Sequence, residues 1–232
     1  MKTLLLGCSL SDYCGWNEIG NHNDERCWYN IVASRYNLDL TNLSYGGHSN
    51  REILHKIATN ILLDDYELVI VQLTSTNRHW FYRYDNPEEF CILNGANIEN
   101  AKSQSEQDAF NVFRFEFNNV YAELEHDLVS LLMIQHYLES RSIPLVLVDM
   151  MGAGATMNSF RINPAKHSTH CSPEYLKKLS ALSSKLNLNN SVGFDGGILM
   201  LQNDFADDLA HPGAKTNIKF AELIGDIINK LK

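Results

Sequence analysis

Short apolar runs alternate with longer amphipathic stretches along the chain. Residues 3–6, 38–43, 67–73 and 144–149 are short and Leu-rich or β-branched, the pattern expected of strands buried on both faces of a parallel sheet. Helical periodicity marks 25–36, 50–63, about 106–140, 173–185 and 213–231; in the last, Ile218, Ala221, Ile224, Ile228 and Leu231 trace one broad apolar face. Strands alternating with helices predict an α/β fold with helices on both faces of the sheet. No repeat, low-complexity tract or linker interrupts the pattern, so one domain over 1–232 is expected. Two segments, 78–105 and 151–172, are polar and poorly periodic. Each follows a strand, which predicts irregular walls of a cleft outside the carboxyl ends of the sheet.

Composition narrows the partners. The chain has 232 residues, 44% hydrophobic content and a net charge of -9. Clustered Lys and Arg for phosphate binding are lacking, which argues against nucleic acid. No apolar stretch approaches the roughly 20 residues that span a bilayer. The start, Met1-Lys2-Thr3-Leu4-Leu5-Leu6-Gly7-Cys8, has too short an apolar core for a secretory signal and reads as a buried first strand. Five scattered cysteines, odd in number and without a Cys-x-x-Cys pair, fit reduced thiols in a cytoplasm.

Four short segments carry the candidate chemistry. They are Gly7-Cys8-Ser9-Leu10-Ser11 after the first strand, Asn42-Leu43-Ser44-Tyr45-Gly46-Gly47 after the second, Thr74-Ser75-Thr76-Asn77 after the third, and Asp208-Leu209-Ala210-His211-Pro212 near the C-terminus. Ser9 and His211 with Asp208 supply a nucleophile, a base and an orienting carboxylate. The three-residue spacing of Asp208 and His211 allows a carboxylate beside Nδ1 while Nε2 stays free, although Asp207 and Asp204 are also near. Gly47 tolerates a positive φ that aims its N–H at an oxyanion, and the Asn77 amide offers a further donor. Cys8 is the rival nucleophile. Its neighbouring position points it to the other side of the strand, as a small buried residue.

The four segments together resemble the SGNH subgroup of the GDSL hydrolases, over nearly the whole chain. Read onto this sequence, the resemblance implies Ser9 as nucleophile, Ser9, Gly47 and Asn77 as oxyanion-hole donors, and Asp208 and His211 as the remaining catalytic residues. It also implies a flavodoxin-like three-layer sandwich and a serine esterase of small O-acyl esters, often acetyl groups on carbohydrates, without metal or organic cofactor. Two departures stand out: Gly-Asp-Ser-Leu becomes Gly7-Cys8-Ser9-Leu10, and Gly-x-Asn-Asp becomes Ser75-Thr76-Asn77-Arg78. Neither removes a residue that does chemistry, and both suggest a branch with its own substrate.

Arg78, Trp80 and Tyr82, in the aromatic and basic run after Asn77, are the candidate substrate-binding residues, suited to a sugar ring or an acyl chain. The expected partner is a small-molecule or glycan ester. His167-Ser168-Thr169-His170-Cys171 has metal-binding side chains but no placed fourth ligand, and reads as a polar loop. Two other readings remain open: an acyltransferase of the same fold, and a degenerate binding or assembly protein that kept it.

Overall fold

A computed structural model describes residues 1–16, 22–59, 65–76, 78–82, 90–93, 103–113, 119–202, 204–207 and 210–232. Its order of elements follows from alternation along the strands. Strand β1 (Lys2–Leu6) sends Leu4 and Leu6 to one face and Leu5 to the other, and β3 (Leu68–Leu73) divides Val69 and Val71 from Leu68 and Ile70 in the same way. Both are buried along nearly their whole length because helices cover both faces. With β2 (Asp39–Asn42), β6 (Leu145–Asp149) and the short β7 (Ser191–Val192), they form one parallel sheet in the order β2-β1-β3-β6-β7. That is the 2-1-3-4-5 order of flavodoxin-like sheets, whose direction of winding reverses between β1 and β3.

Helices α1 (Trp28–Tyr36) and α7 (Ala214–Lys230) pack on one face through Trp28, Val32, Phe220, Ile224 and Ile228. The other face is covered by α2 (Asn50–Thr59), α4 (Val120–Ser140), α5 (Ala153–Ile162) and α6 (Pro173–Ser183), through Ile53, Leu128, Leu131, Met157, Phe160 and Leu179. The three layers agree with the α/β sandwich expected from the sequence. No helix among the described residues is long and apolar enough to cross a membrane.

Several local expectations need correction. Helix α1 begins at Trp28, not at residue 25, because the Asp24 carboxylate takes the Arg26 backbone N–H and guanidinium and closes a turn. The single helix expected over about 106–140 is two: α3 (Gln104–Val112) and α4, which starts afresh where the Asn119 side chain accepts the N–H groups of Tyr121 and Ala122. The segment 78–105 is not wholly irregular, since β4 (His79–Tyr82) and β5 (Phe90–Leu93) pair as an antiparallel hairpin. Residues 151–172 likewise contain α5. Its start is fixed by the buried Asp149 carboxylate, which accepts the N–H groups of Gly152 at 2.8 Å and Ala155 at 2.7 Å. Burial raises the Asp149 carboxyl above its ordinary range, against the pull of those N–H groups.

Candidate active site

Where the winding reverses, the turn after β1 meets the loops that follow β2 and β3. Gly7 permits the meeting. A Cβ there would lie 2.7 Å from Gln72 Oε1 and 2.8 Å from Ser11 Cβ. In its absence Gln72, on β3, reaches the turn and accepts from the Cys8 N–H at 3.0 Å and the Ser11 hydroxyl at 3.0 Å. The chain then coils tightly, with the N–H of Ser11 on Cys8 C=O and that of Cys14 on Ser9 C=O. Ser9 sits in this coil, 8% exposed, while Cys8 is fully buried among the residues facing α1 and α7. The thiol is therefore part of the core, as its neighbouring position on the strand suggests.

Two polar side chains bind the second loop to this turn. Asn42 Nδ2 donates to Ser11 C=O at 2.6 Å, and the Gly46 N–H donates to Asp12 Oδ2 at 2.8 Å. Gly47 follows with φ +89°, a conformation that favours glycine. The structure thus brings the Ser9 turn and the Gly47 loop together. His48, just before α2, meets Glu52 and Lys56 on that helix, with His48 Nε2 3.0 Å from Glu52 Oε1 and 3.2 Å from Lys56 Nζ. Burial pushes the Lys56 ammonium below its ordinary range, against the nearby Glu52 charge.

The loop after β3 is held in the same manner. Asn50, the first residue of α2, accepts the Thr74 N–H at 2.7 Å and donates one amide proton to Thr74 C=O at 2.9 Å. Its other amide proton goes to Asp127 Oδ2 on α4, at 2.8 Å. Burial pushes the Asp127 carboxyl up to about 7, despite the Asn50 hydrogen bond that opposes the rise. Arg78 donates to His48 C=O at 3.4 Å and lines a small polar recess with Asn50, Ser75, Thr76 and Asp127. Trp80 and Tyr82 belong to β4. Asn77 lies outside the described residues.

His211 comes from the segment that enters α7. Its C=O accepts the Ala206 N–H at 2.8 Å, and its ring lies 5.0 Å from that of Tyr13, in the turn that follows Ser9. Asp204, one of the acids near it in sequence, is engaged elsewhere: its carboxylate accepts the N–H groups of Lys215 and Thr216, each at 2.9 Å, and caps α7. Asp207 is exposed, and Asp208 lies outside the described residues. Asn217 ties this region to the rest of the site, accepting the Trp28 N–H at 3.0 Å and donating to Pro212 C=O at 2.9 Å, while Trp28 Nε1 donates to Leu10 C=O at 2.9 Å.

The His167–Cys171 segment is structural in its contacts. His167 stacks on Phe160 at 4.0 Å and shares a hydrogen bond with Ser159 at 2.8 Å; His170 stacks on Tyr121. Among the described residues no group of three or more His, Cys, Asp or Glu side chains is arranged to hold a metal. Sequence reasoning did not find Asp12, Asn50 or Asp127. Their partners lie far along the chain, so local spacing carries no sign of them.

No family model matches the chain, and no curated protein matches it. Solved structures do share its fold. The chain is similar over 100% of its length to 99% of the acetyl xylan esterase AlAXEase, at 11% identity and a TM-score of 0.50. It is similar over the same share to 97% of a lipase/acylhydrolase from Enterococcus faecalis, at 10% identity and a TM-score of 0.50. These likenesses establish the three-layer α/β fold.

Proposed function

We propose that the chain is a serine hydrolase that cleaves small O-acyl esters, acetyl groups on carbohydrates foremost, through an acyl-enzyme. The observation that carries this reading is the binding of the Ser9 turn to the Asn42–Gly47 segment by the Asn42 and Asp12 side chains at the point where the sheet reverses its winding. A nucleophile and an oxyanion donor need that fixed relation, because a donor stabilises a transition state only where charge develops.

In this mechanism the Ser9 hydroxyl attacks the ester carbonyl and His211 takes its proton. Asp208 holds the imidazole tautomer. The N–H groups of Ser9 and Gly47 and the Asn77 amide stabilise the tetrahedral oxyanion. Collapse expels the alcohol, protonated by His211, and leaves the acyl group on Ser9. Water, activated by the same imidazole, then releases the acid. Arg78, Trp80 and Tyr82 contribute to holding the substrate. The free thiols of Cys8, Cys14 and Cys27 support a reducing compartment such as the cytoplasm.

The test is covalent labelling combined with turnover. A fluorophosphonate should add once, at Ser9 by peptide mass spectrometry, and abolish hydrolysis of p-nitrophenyl acetate; Ser9→Ala should lower turnover by at least about 10³-fold. Folded protein that neither labels nor cleaves acetyl, longer acyl or thioester substrates refutes the reading. Labelling without hydrolysis moves the assignment to acyl transfer.

A further inference from the structure

Asp12 is a carboxylate with 0% side-chain exposure for which the proposed reaction has no use. Burying a charge costs several kcal/mol unless it is paired and hydrogen-bonded. Its partners show where the pairing leads. Oδ2 accepts the Gly46 N–H at 2.8 Å, and Oδ1 lies 2.8 Å from His22 Nε2. An Nε2–H tautomer of His22 donates to that oxygen, and the main chain of His22 is held in turn, with Asn30 Nδ2 donating to His22 C=O at 2.7 Å. On its main chain Asp12 belongs to the nucleophile turn, with its N–H directed at Ser9 C=O (3.4 Å) and its C=O accepting the Tyr29 hydroxyl.

We infer that Asp12 is a positioning residue, which fixes the Gly47 N–H relative to Ser9 by holding the Gly46 N–H from within the nucleophile turn. The inference rests on the hydrolase reading. The Gly46 N–H belongs to the peptide that leads into Gly46, so holding it fixes the plane from which the chain passes through Gly46 to the peptide that carries the Gly47 N–H. A carboxylate three residues after Ser9 and bonded one residue before Gly47 therefore sets a single distance, that between nucleophile and oxyanion donor. His22 serves as the hydrogen-bonding partner for the second oxygen of the buried carboxyl group.

The experiment compares Asp12→Ala, Asp12→Asn and Ser9→Ala with the wild type, measuring kcat, KM and thermal unfolding on p-nitrophenyl acetate. Asn retains an oxygen that can accept the Gly46 N–H; Ala does not. Asp12→Ala should lower kcat by about 10- to 100-fold with KM within about threefold, less than the loss of an oxyanion donor outright. Asp12→Asn should recover at least about a third of the wild-type kcat. Where Asp12→Ala does not unfold cooperatively, Asp12→Ser, too short to reach Gly46, takes its place with the same expectation. A wild-type kcat in Asp12→Ala, a loss expressed in KM alone, or an Asn variant as impaired as the Ala variant overturns the positioning role while Ser9→Ala stays inactive. Unchanged turnover in Ser9→Ala instead overturns the hydrolase reading itself.

Discussion

Replacing Asp127 by Asn should make the protein more stable at neutral and alkaline pH, although it removes a charged group. The carboxyl is 5% exposed, and burial raises it from its ordinary 3.8 to about 7. The folded state therefore resists ionising a group that the unfolded chain ionises freely. Its favourable contribution is complete below pH 3.8 and is lost as pH rises through 7. At about 1.4 kcal/mol per pH unit, the interval from 3.8 to about 7 corresponds to roughly 4 kcal/mol, of which some 2 to 3 kcal/mol falls between pH 5 and pH 8. Asn cannot ionise, yet its side-chain oxygen can still accept the Asn50 proton now directed at Asp127 Oδ2. The difference in Tm between variant and wild type should thus grow by about 5 to 10 °C from pH 5 to pH 8, for a chain of this size. Thermal unfolding followed by circular dichroism at pH 5, 6, 7 and 8 measures it, and the comparison cancels every group the two proteins share, including Asp149. Parallel Tm curves across that range would show that Asp127 ionises as readily in the folded protein as in the unfolded chain.

Asp204→Ala should lower Tm by about 3 to 6 °C, because the first turn of α7 loses a carboxylate that accepts from Lys215 and Thr216, a capping loss of about 1 to 2 kcal/mol; an unchanged Tm would mean that solvent serves those N–H groups equally well. Gly225→Ala sets a methyl group against the Tyr36 ring where α7 packs on α1 and should cost about 1 to 3 kcal/mol in denaturant unfolding, with much of that recovered when Tyr36→Leu is added. Gly7→Ala should disrupt the approach of Gln72 to the nucleophile turn and reduce stability and esterase turnover together; a loss in only one of the two would separate the turn from the site. Cys8→Ala should keep most of the esterase activity and cost about 1 kcal/mol of stability, as expected for a small buried side chain.

The centre of the main sheet was legible because β1 and β3 are largely apolar on both faces, so that Leu4 to Leu6 and Leu68 to Leu73 stand out with no need of alternation. The elements that escaped notice lack such a signal. Strand β7 has two residues, and α5 opens on Gly152 and Gly154, weak helix formers whose place depends on a carboxylate several residues earlier. Between 106 and 140 apolar periodicity continues past Asn119, and the cap that restarts the helix is a single polar residue. In the candidate site the contrast is similar. Ser9 and Gly47 announce themselves through local glycine chemistry, whereas Asp12 gains its meaning from Gly46 and His22, and Asn50 from Thr74 and Asp127. Contacts that distant in sequence leave no periodic trace.

The bridge made by Asn217 between Trp28 and the loop that carries His211 has a consequence for biosynthesis. Ser9 and its turn leave the ribosome early, and β1 can pair with β3 well before translation reaches the last helix. The imidazole is seated only when α7 has docked on α1, since Asn217 supplies the acceptor for Trp28 and the donor for Pro212 in one step. On the proposed mechanism, a nascent chain arrested before residue 217 would therefore carry its serine without a seated base, and esterase activity in stalled chains of increasing length should switch on abruptly as α7 clears the exit tunnel.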